Sequence, residues 1–200
     1  MTKKTEYRLK DRDIRTGLIR HLSNLYFNDP DTRILREFNI CEGNARIDIA
    51  VVNGLLIGYE IKSDSDTLER LPVQQEVYNQ IFNRIIIVVG KHHISTVADA
   101  IPPWWGIWRS TRLDGKVLFR IFREAEDNPI INPLSLAECL WRDEALAVLR
   151  DKGLVSGLER AKRAILREKL ASALSCAELN SIVCSYLKSR VDWSIVLPRE

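Results

Sequence analysis

Three charged residues stand where an apolar core is expected. Asp48 lies within residues 46–52, and Glu60 and Lys62 within residues 55–62, two runs otherwise rich in Ile and Val. Burying a charge is costly unless it is paired or binds a metal. Two carboxylates and a lysine at the mouth of one hairpin suit a divalent cation. Such an ion activates a bound water and polarises a substrate oxygen. Gln74 and Tyr78 follow, four residues apart and so on one face of a helical segment.

These residues meet only if the chain between them folds in a particular way. Asn53-Gly54 between two β-rich runs is a strong hairpin signal. A two-residue turn there would pair Asp48 with Tyr59 and put Asp48 and Glu60 on opposite faces, because side chains alternate along a strand. A three-residue loop, or a bulge with Gly54 left-handed, brings Asp48, Glu60 and Lys62 to one face. The chemistry therefore requires the longer loop.

Asp48, eleven intervening residues, and then Glu60-Ile61-Lys62 resemble the PD-(D/E)XK, or restriction-endonuclease-like, nuclease superfamily. Gln74-Gln75-Glu76-Val77-Tyr78 is similar to the Q-x-x-x-Y element of its RecB-like branch. The proline of the superfamily's name is absent, since Ile47 precedes Asp48. The resemblance covers residues 30–125. It implies a mixed β-sheet flanked by helices and Mg²⁺-dependent phosphodiester hydrolysis, with DNA as the expected partner. Asp48, Glu60 and the Ile61 carbonyl would hold Mg²⁺, for which Mn²⁺ is expected to substitute. Glu37 is a further candidate ligand, the alternative being an ion pair with Arg36 or Arg46. Lys62 would act electrostatically, since lysine is a poor base at neutral pH. Gln74 and Tyr78 complete the expected catalytic set. Superfamily members act as monomers or as homodimers.

The remaining chain fits an α/β reading. Two hundred residues, 46% apolar with a net charge of +3, can bury a sizeable core, and the charge is compatible with nucleic acid. Cys41, Cys139, Cys176 and Cys184 have no paired-thiol spacing and read as reduced thiols. With neither a leader-like nor a membrane-spanning apolar run, a soluble, cytoplasmic protein is expected.

Residues 11–27 read as an amphipathic helix with a stripe of Ile14, Leu18, Leu22 and Leu25. His21, on this helix, has no partner histidine at metal-ligand spacing. Residues 33–40 read as a strand, and a helix starts near Pro72. Residues 84–90 form a β-branched run typical of a strand covered on both faces. Residues 94–100 read as a helix, and 105–111 with 116–123 as a second hairpin. Trp104, Trp105 and Trp108 either stack on bases or, as aromatics more often do, fill the core.

We divide the chain into a nuclease-like core, 1–127, and a helical C-terminal region, 128–200. Helices are expected over 135–152, 158–173 and 175–189, the middle one basic through Arg160, Lys162, Arg163, Arg167 and Lys169. This tail resembles that of small uncharacterised bacterial and phage-borne proteins. The competing functional reading is a catalytically silent protein that binds nucleic acid or a regulatory partner through the same fold.

Overall fold

The computed structural model describes residues 8–40, 43 and 45–190. Cys41 and the N-terminal residues 1–7 lie outside them, as does the end of the chain after Arg190. Six strands form one mixed sheet in the order β1-β2-β3-β4-β5-β6. The strands are β1 (Arg33–Ile40), β2 (Ala45–Val52), β3 (Leu56–Lys62), β4 (Arg84–Val89), β5 (Gly106–Leu113) and β6 (Lys116–Arg123). β1 to β3 form an antiparallel meander, β3 to β5 run parallel, and β6 returns antiparallel. α2 (Leu71–Tyr78) crosses from β3 to β4, and α3 (Ile94–Ala100) from β4 to β5. The protein is a mixed α/β fold with helices on the sheet and further helices at the C-terminal end.

The hairpin has the three-residue loop that the site requires. Val52 pairs with Leu56 and Ile49 with Tyr59, so Asp48 and Glu60 fall in even register. Asn53, Gly54 and Leu55 make the connection, with Gly54 at φ 100°. A side chain is strained in that backbone region, and glycine is not.

Sequence pattern decides which face each helix covers. β4 is apolar at every position after Arg84 because both its faces are buried. Ile85, Ile87 and Val89 point into one cluster, and Ile86 and Val88 into the other. α1 (Asp11–Leu25) lays Ile14, Leu18 and Leu22 on the second face, against Ile49, Val51, Ile57 and Trp108. Leu25 falls past the contact and is exposed. Each of the three fully buried α1 side chains contributes about 1.5–3 kcal/mol. The first face carries α2, α3 and the C-terminal helices.

The tail departs from expectation in two places. The helix expected over 135–152 is two helices, α4 (Pro133–Ala137) and α5 (Arg142–Asp151). Asn132 caps the first through Leu134 N and Ser135 N, and Gly153 at φ 69° follows the second. The break lies where Arg167 takes the carbonyls of Glu138 and Leu140 as acceptors, at 2.5 and 3.0 Å. The helix expected over 158–173 starts only at Arg163, as α6 (Arg163–Ala173), after turns around Gly157 at φ 77°. Arg167 is thus a buried structural residue and not part of a solvated basic face. α7 (Cys176–Ser189) matches expectation and is capped by Ser175 with Glu178. One apolar cluster runs from Phe38 and Tyr78 through Leu140 and Leu149 to Val183 and Leu187, so residues 128–190 share the core of the sheet. Asn180 of α7 also donates to the Gly54 carbonyl at 3.1 Å.

Trp104, Trp105 and Trp108 are all buried, which selects the core reading. Trp105 stacks on Tyr78 and donates its indole N–H to Asn79. His21 packs against Trp108 and Phe119, and burial lowers its pKa. Cys139, Cys176 and Cys184 form no disulfide. No helix among the described residues is long and apolar enough to cross a membrane.

α1 approaches β6 closely because position 17 is glycine. A Cβ there would sit 2.7 Å from the Val117 Cβ, an atom too near the backbone to turn aside. Alanine gains up to about 1 kcal/mol of helix propensity over glycine, whereas overpacking costs about 1–3 kcal/mol. Gly17→Ala is expected to lower the urea midpoint. An unchanged or higher midpoint would show that α1 is free to shift on β6.

Candidate functional site

The ladders of β1, β2 and β3 come apart at one level. β1 and β2 pair at Arg36↔Ile49 and again at Phe38↔Ile47, but skip Glu37 and Asp48, and Glu37 has a left-handed backbone at φ 49°. The β2–β3 ladder ends at Ile49↔Tyr59. Beyond it, the Asp48 carboxylate and not a backbone carbonyl accepts the Ile61 N–H, at 2.7 Å. A cleft of about 780 Å³ opens here, at the C-terminal end of β3. Asp48, Glu60, Ile61, Lys62 and Gln74 line it, and Arg15, Arg46 and Arg70 add positive charge.

Glu60 and Lys62 form a nearly solvent-free ion pair. Lys62 Nζ lies 2.8 Å from Glu60 Oε1, with side-chain exposures of 6% and 4%. Removing two charges from water is tolerated only when further hydrogen bonds satisfy them. α2 supplies these. The Gln74 carbonyl accepts from Lys62 Nζ at 2.9 Å, and its amide donates to Glu60 Oε1 at 2.7 Å and to the Tyr78 hydroxyl at 3.2 Å. Only a side chain that both donates and accepts can bridge an ammonium and a carboxylate in this way. The Tyr78 hydroxyl lies 2.9 Å from Glu60 Oε2 and 2.8 Å from the Arg46 carbonyl, and its one proton serves one of them at a time. The expected sharing of a face by Gln74 and Tyr78 is therefore realised. Tyr78 also has a fully buried ring, so it belongs to both core and site.

The local field is strongly perturbed. Burial, and then the negative charge of Asp48, push the Glu60 carboxyl up to about 7, against the pull of Lys62. Burial raises Asp48 as well, opposed by Arg15 and the Ile61 amide. Burial and the charge of Glu60 raise Tyr78, which keeps it a proton donor.

Two residues enter the site from α1. Arg15 places NH2 2.6 Å from Asp48 Oδ1 and shares a fork with Asp11, four residues before it, at 3.2 Å. Burial depresses the guanidinium's basicity, but the charges of Asp48 and Asp11 outweigh that and raise it. The i,i+4 spacing beside the apolar stripe was visible in the sequence. Its contact with Asp48, 33 positions on, was not. Glu37 reaches the same guanidinium at 3.7 Å and Arg46 at 3.4 Å, and is half exposed. Asp64 and Asp66 bond to the backbone N–H groups of His92 and Ser63, as loop caps do.

An ionised carboxylate offers about four lone-pair sites. Asp48 receives donors from Arg15 and Ile61, and Glu60 from Lys62, Gln74 and Tyr78, which leaves each some capacity. No group of three or more His, Cys, Asp or Glu side chains converges as a metal cage among the described residues. Asp48 and Glu60 are the two carboxylates of this network that line the cleft and could face a cation.

A profile of the family described as bacteriophage P4 protein cII matches residues 3–194. The chain belongs to that family. It is 26% identical over 182 residues to protein cII of Enterobacteria phage P4, spanning 91% of this chain and 68% of the phage protein. The chain is also similar to a solved protein of unknown function from Silicibacter pomeroyi, at a TM-score of 0.43 and 18% identity, over 75% of this chain and 94% of that one.

The raised Glu60 carboxyl makes a linkage prediction. Its folded value of about 7 exceeds the ordinary 4.5. The stability it contributes is therefore present at acid pH and lost as pH rises through about 7. Glu60→Gln removes this dependence. The melting temperature of Glu60→Gln, minus that of wild type, is expected to grow as pH rises from 5 to 8. A flat or falling difference would contradict the raised value.

Proposed function

We propose that this protein is a metal-dependent nuclease that hydrolyses phosphodiester bonds, with DNA as its first candidate substrate. The observation that supports this most is the network of Glu60, Lys62, Gln74 and Tyr78 beside Asp48, in a cleft flanked by Arg46 and Arg70. The spacing of these residues resembles that of the PD-(D/E)XK superfamily, and a sheet with crossover helices is compatible with a restriction-endonuclease-like core. Asp48, Glu60 and the Ile61 carbonyl would hold Mg²⁺, or Mn²⁺ in its place, with Glu37 as an outer ligand. Bound there, the ion would acidify a water and offset charge on the phosphate.

The chain's own residues supply the rest. Lys62 sits at the strand end and donates toward charge developing in the cleft. Gln74 holds Lys62 and Glu60 in one geometry. Tyr78 fixes the second oxygen of Glu60 and ties it to β2 through the Arg46 carbonyl. Arg46 and Arg70 would contact the phosphate backbone, whose recognition is largely electrostatic. Cytoplasmic residence and action as a monomer or homodimer belong to the same reading.

One observation favours a second reading, a catalytically silent protein that binds nucleic acid or a regulatory partner. Three of the four oxygens of Asp48 and Glu60 already receive protein donors, and the Tyr78 hydroxyl lies within reach of the fourth.

Labelled linear, circular and single-stranded DNA, and RNA, incubated with Mg²⁺, Mn²⁺ or EDTA, separate the two. Cleavage with either metal and none with EDTA is expected. Asp48→Ala and Lys62→Ala should each reduce it at least about 100-fold. No cleavage of any substrate, together with binding that Asp48→Ala leaves unchanged, would move the assignment to the silent protein.

A further inference from the structure

We infer that Arg15 is the exchangeable counter-ion of the cation site, holding the Asp48 oxygen that a divalent ion would take and yielding it when that ion binds. The inference rests on the metal-site reading of Asp48 and Glu60. It adds a residue of α1 that competes with the metal.

Three carboxylates converge on this one guanidinium. Asp48 Oδ1 lies 2.6 Å from NH2, Asp11 3.2 Å from Nε and NH2, and Glu37 Oε1 3.7 Å from NH1. The other oxygen of Asp48 is committed to the Ile61 N–H, which helps to hold the strands in place. Oδ1 is therefore the oxygen open to exchange. Arg15 and Asp48 both line the cleft, with side-chain exposures of 18% and 19%. A carboxylate so placed would be left poorly solvated if Arg15 departed alone. A divalent cation entering the cleft would supply the charge that the departing guanidinium removes.

Arg15 has somewhere to go. Asp11, one turn earlier on the same helix, already holds its Nε and NH2, so the side chain can leave Asp48 without losing every partner. Its NH1 is inaccessible to solvent and has no hydrogen-bond partner, so the present pose leaves a donor unsatisfied. An arginine saturated by Asp48 would be a fixed structural pair. One shared among three carboxylates, with a donor to spare, is poised to exchange.

The test is direct Mn²⁺ binding, read from the electron paramagnetic resonance signal of free Mn²⁺ in titrations of the full chain. Wild type, Arg15→Gln, Arg15→Lys and Asp11→Asn are compared, with folding checked by circular dichroism. Arg15→Gln is expected to bind Mn²⁺ roughly ten- to a hundredfold more tightly, the equivalent of one lost charge-assisted competitor. Arg15→Lys keeps a cation and stays nearer wild type. Asp11→Asn, a mild change at a partly exposed position, removes the alternative partner and weakens Mn²⁺ binding. If wild type binds Mn²⁺ while Arg15→Gln binds it equally or less well, the counter-ion role is overturned and the metal site stands. The same holds if Asp11→Asn binds more tightly than wild type. If no form binds Mn²⁺ at millimolar concentration, the metal-site reading itself falls and takes the inference with it.

Discussion

The structure turns on a buried ion pair that cannot satisfy itself. Glu60 and Lys62 sit at the last turns of a strand whose every position is buried. A pair this dry is stable only if its remaining lone pairs and protons find partners. No neighbouring strand provides them, so a helix must. α2 presents Gln74 and Tyr78 one turn apart, and Tyr78 reaches past Glu60 to the Arg46 carbonyl. Three consecutive elements, β2, β3 and α2, are thereby locked in mutual register by one carboxylate. The same requirement leaves an ammonium and a carboxylate aimed at a cleft and not dissolved in solvent.

Much of this was legible because it follows from local periodicity. Strand alternation fixed the parity of Asp48 and Glu60, and parity required a three-residue loop. That loop is present, with glycine at its positive-φ position. Helical spacing put Gln74 and Tyr78 on one face, and the β-branched run 84–89 read as a strand buried on both sides. Each inference uses residues within about one turn or one hairpin of each other, where backbone geometry dictates direction.

What sequence did not disclose depends on long-range contacts. Arg15 looks like half of a helical ion pair with Asp11, and nothing local says that it also reaches Asp48 across the sheet. The left-handed Glu37, which lets β1 and β2 skip a pair beside Asp48, carries no propensity signal, since glutamate rarely adopts that backbone. In the tail, leucine periodicity over 135–152 suggested one helix. Arg167, from a helix later in the chain, claims the carbonyls that would have continued it. A basic residue counted toward a solvated face was in fact a buried bracket.

The tail is bound into the site's architecture by the contact between Asn180 and Gly54. α7 comes from the far end of the chain, yet Asn180 donates to the carbonyl of the glycine that sets the hairpin register. A three-residue hairpin loop has few internal bonds of its own, and an external donor restricts its alternatives. The apolar cluster that buries Leu179 and Val183 also contains Val52 and Leu56, which flank that loop. A one-residue slip there would carry Asp48 to the opposite face from Glu60. The C-terminal helices thus help to determine which face Asp48 occupies, although none of them lines the cleft.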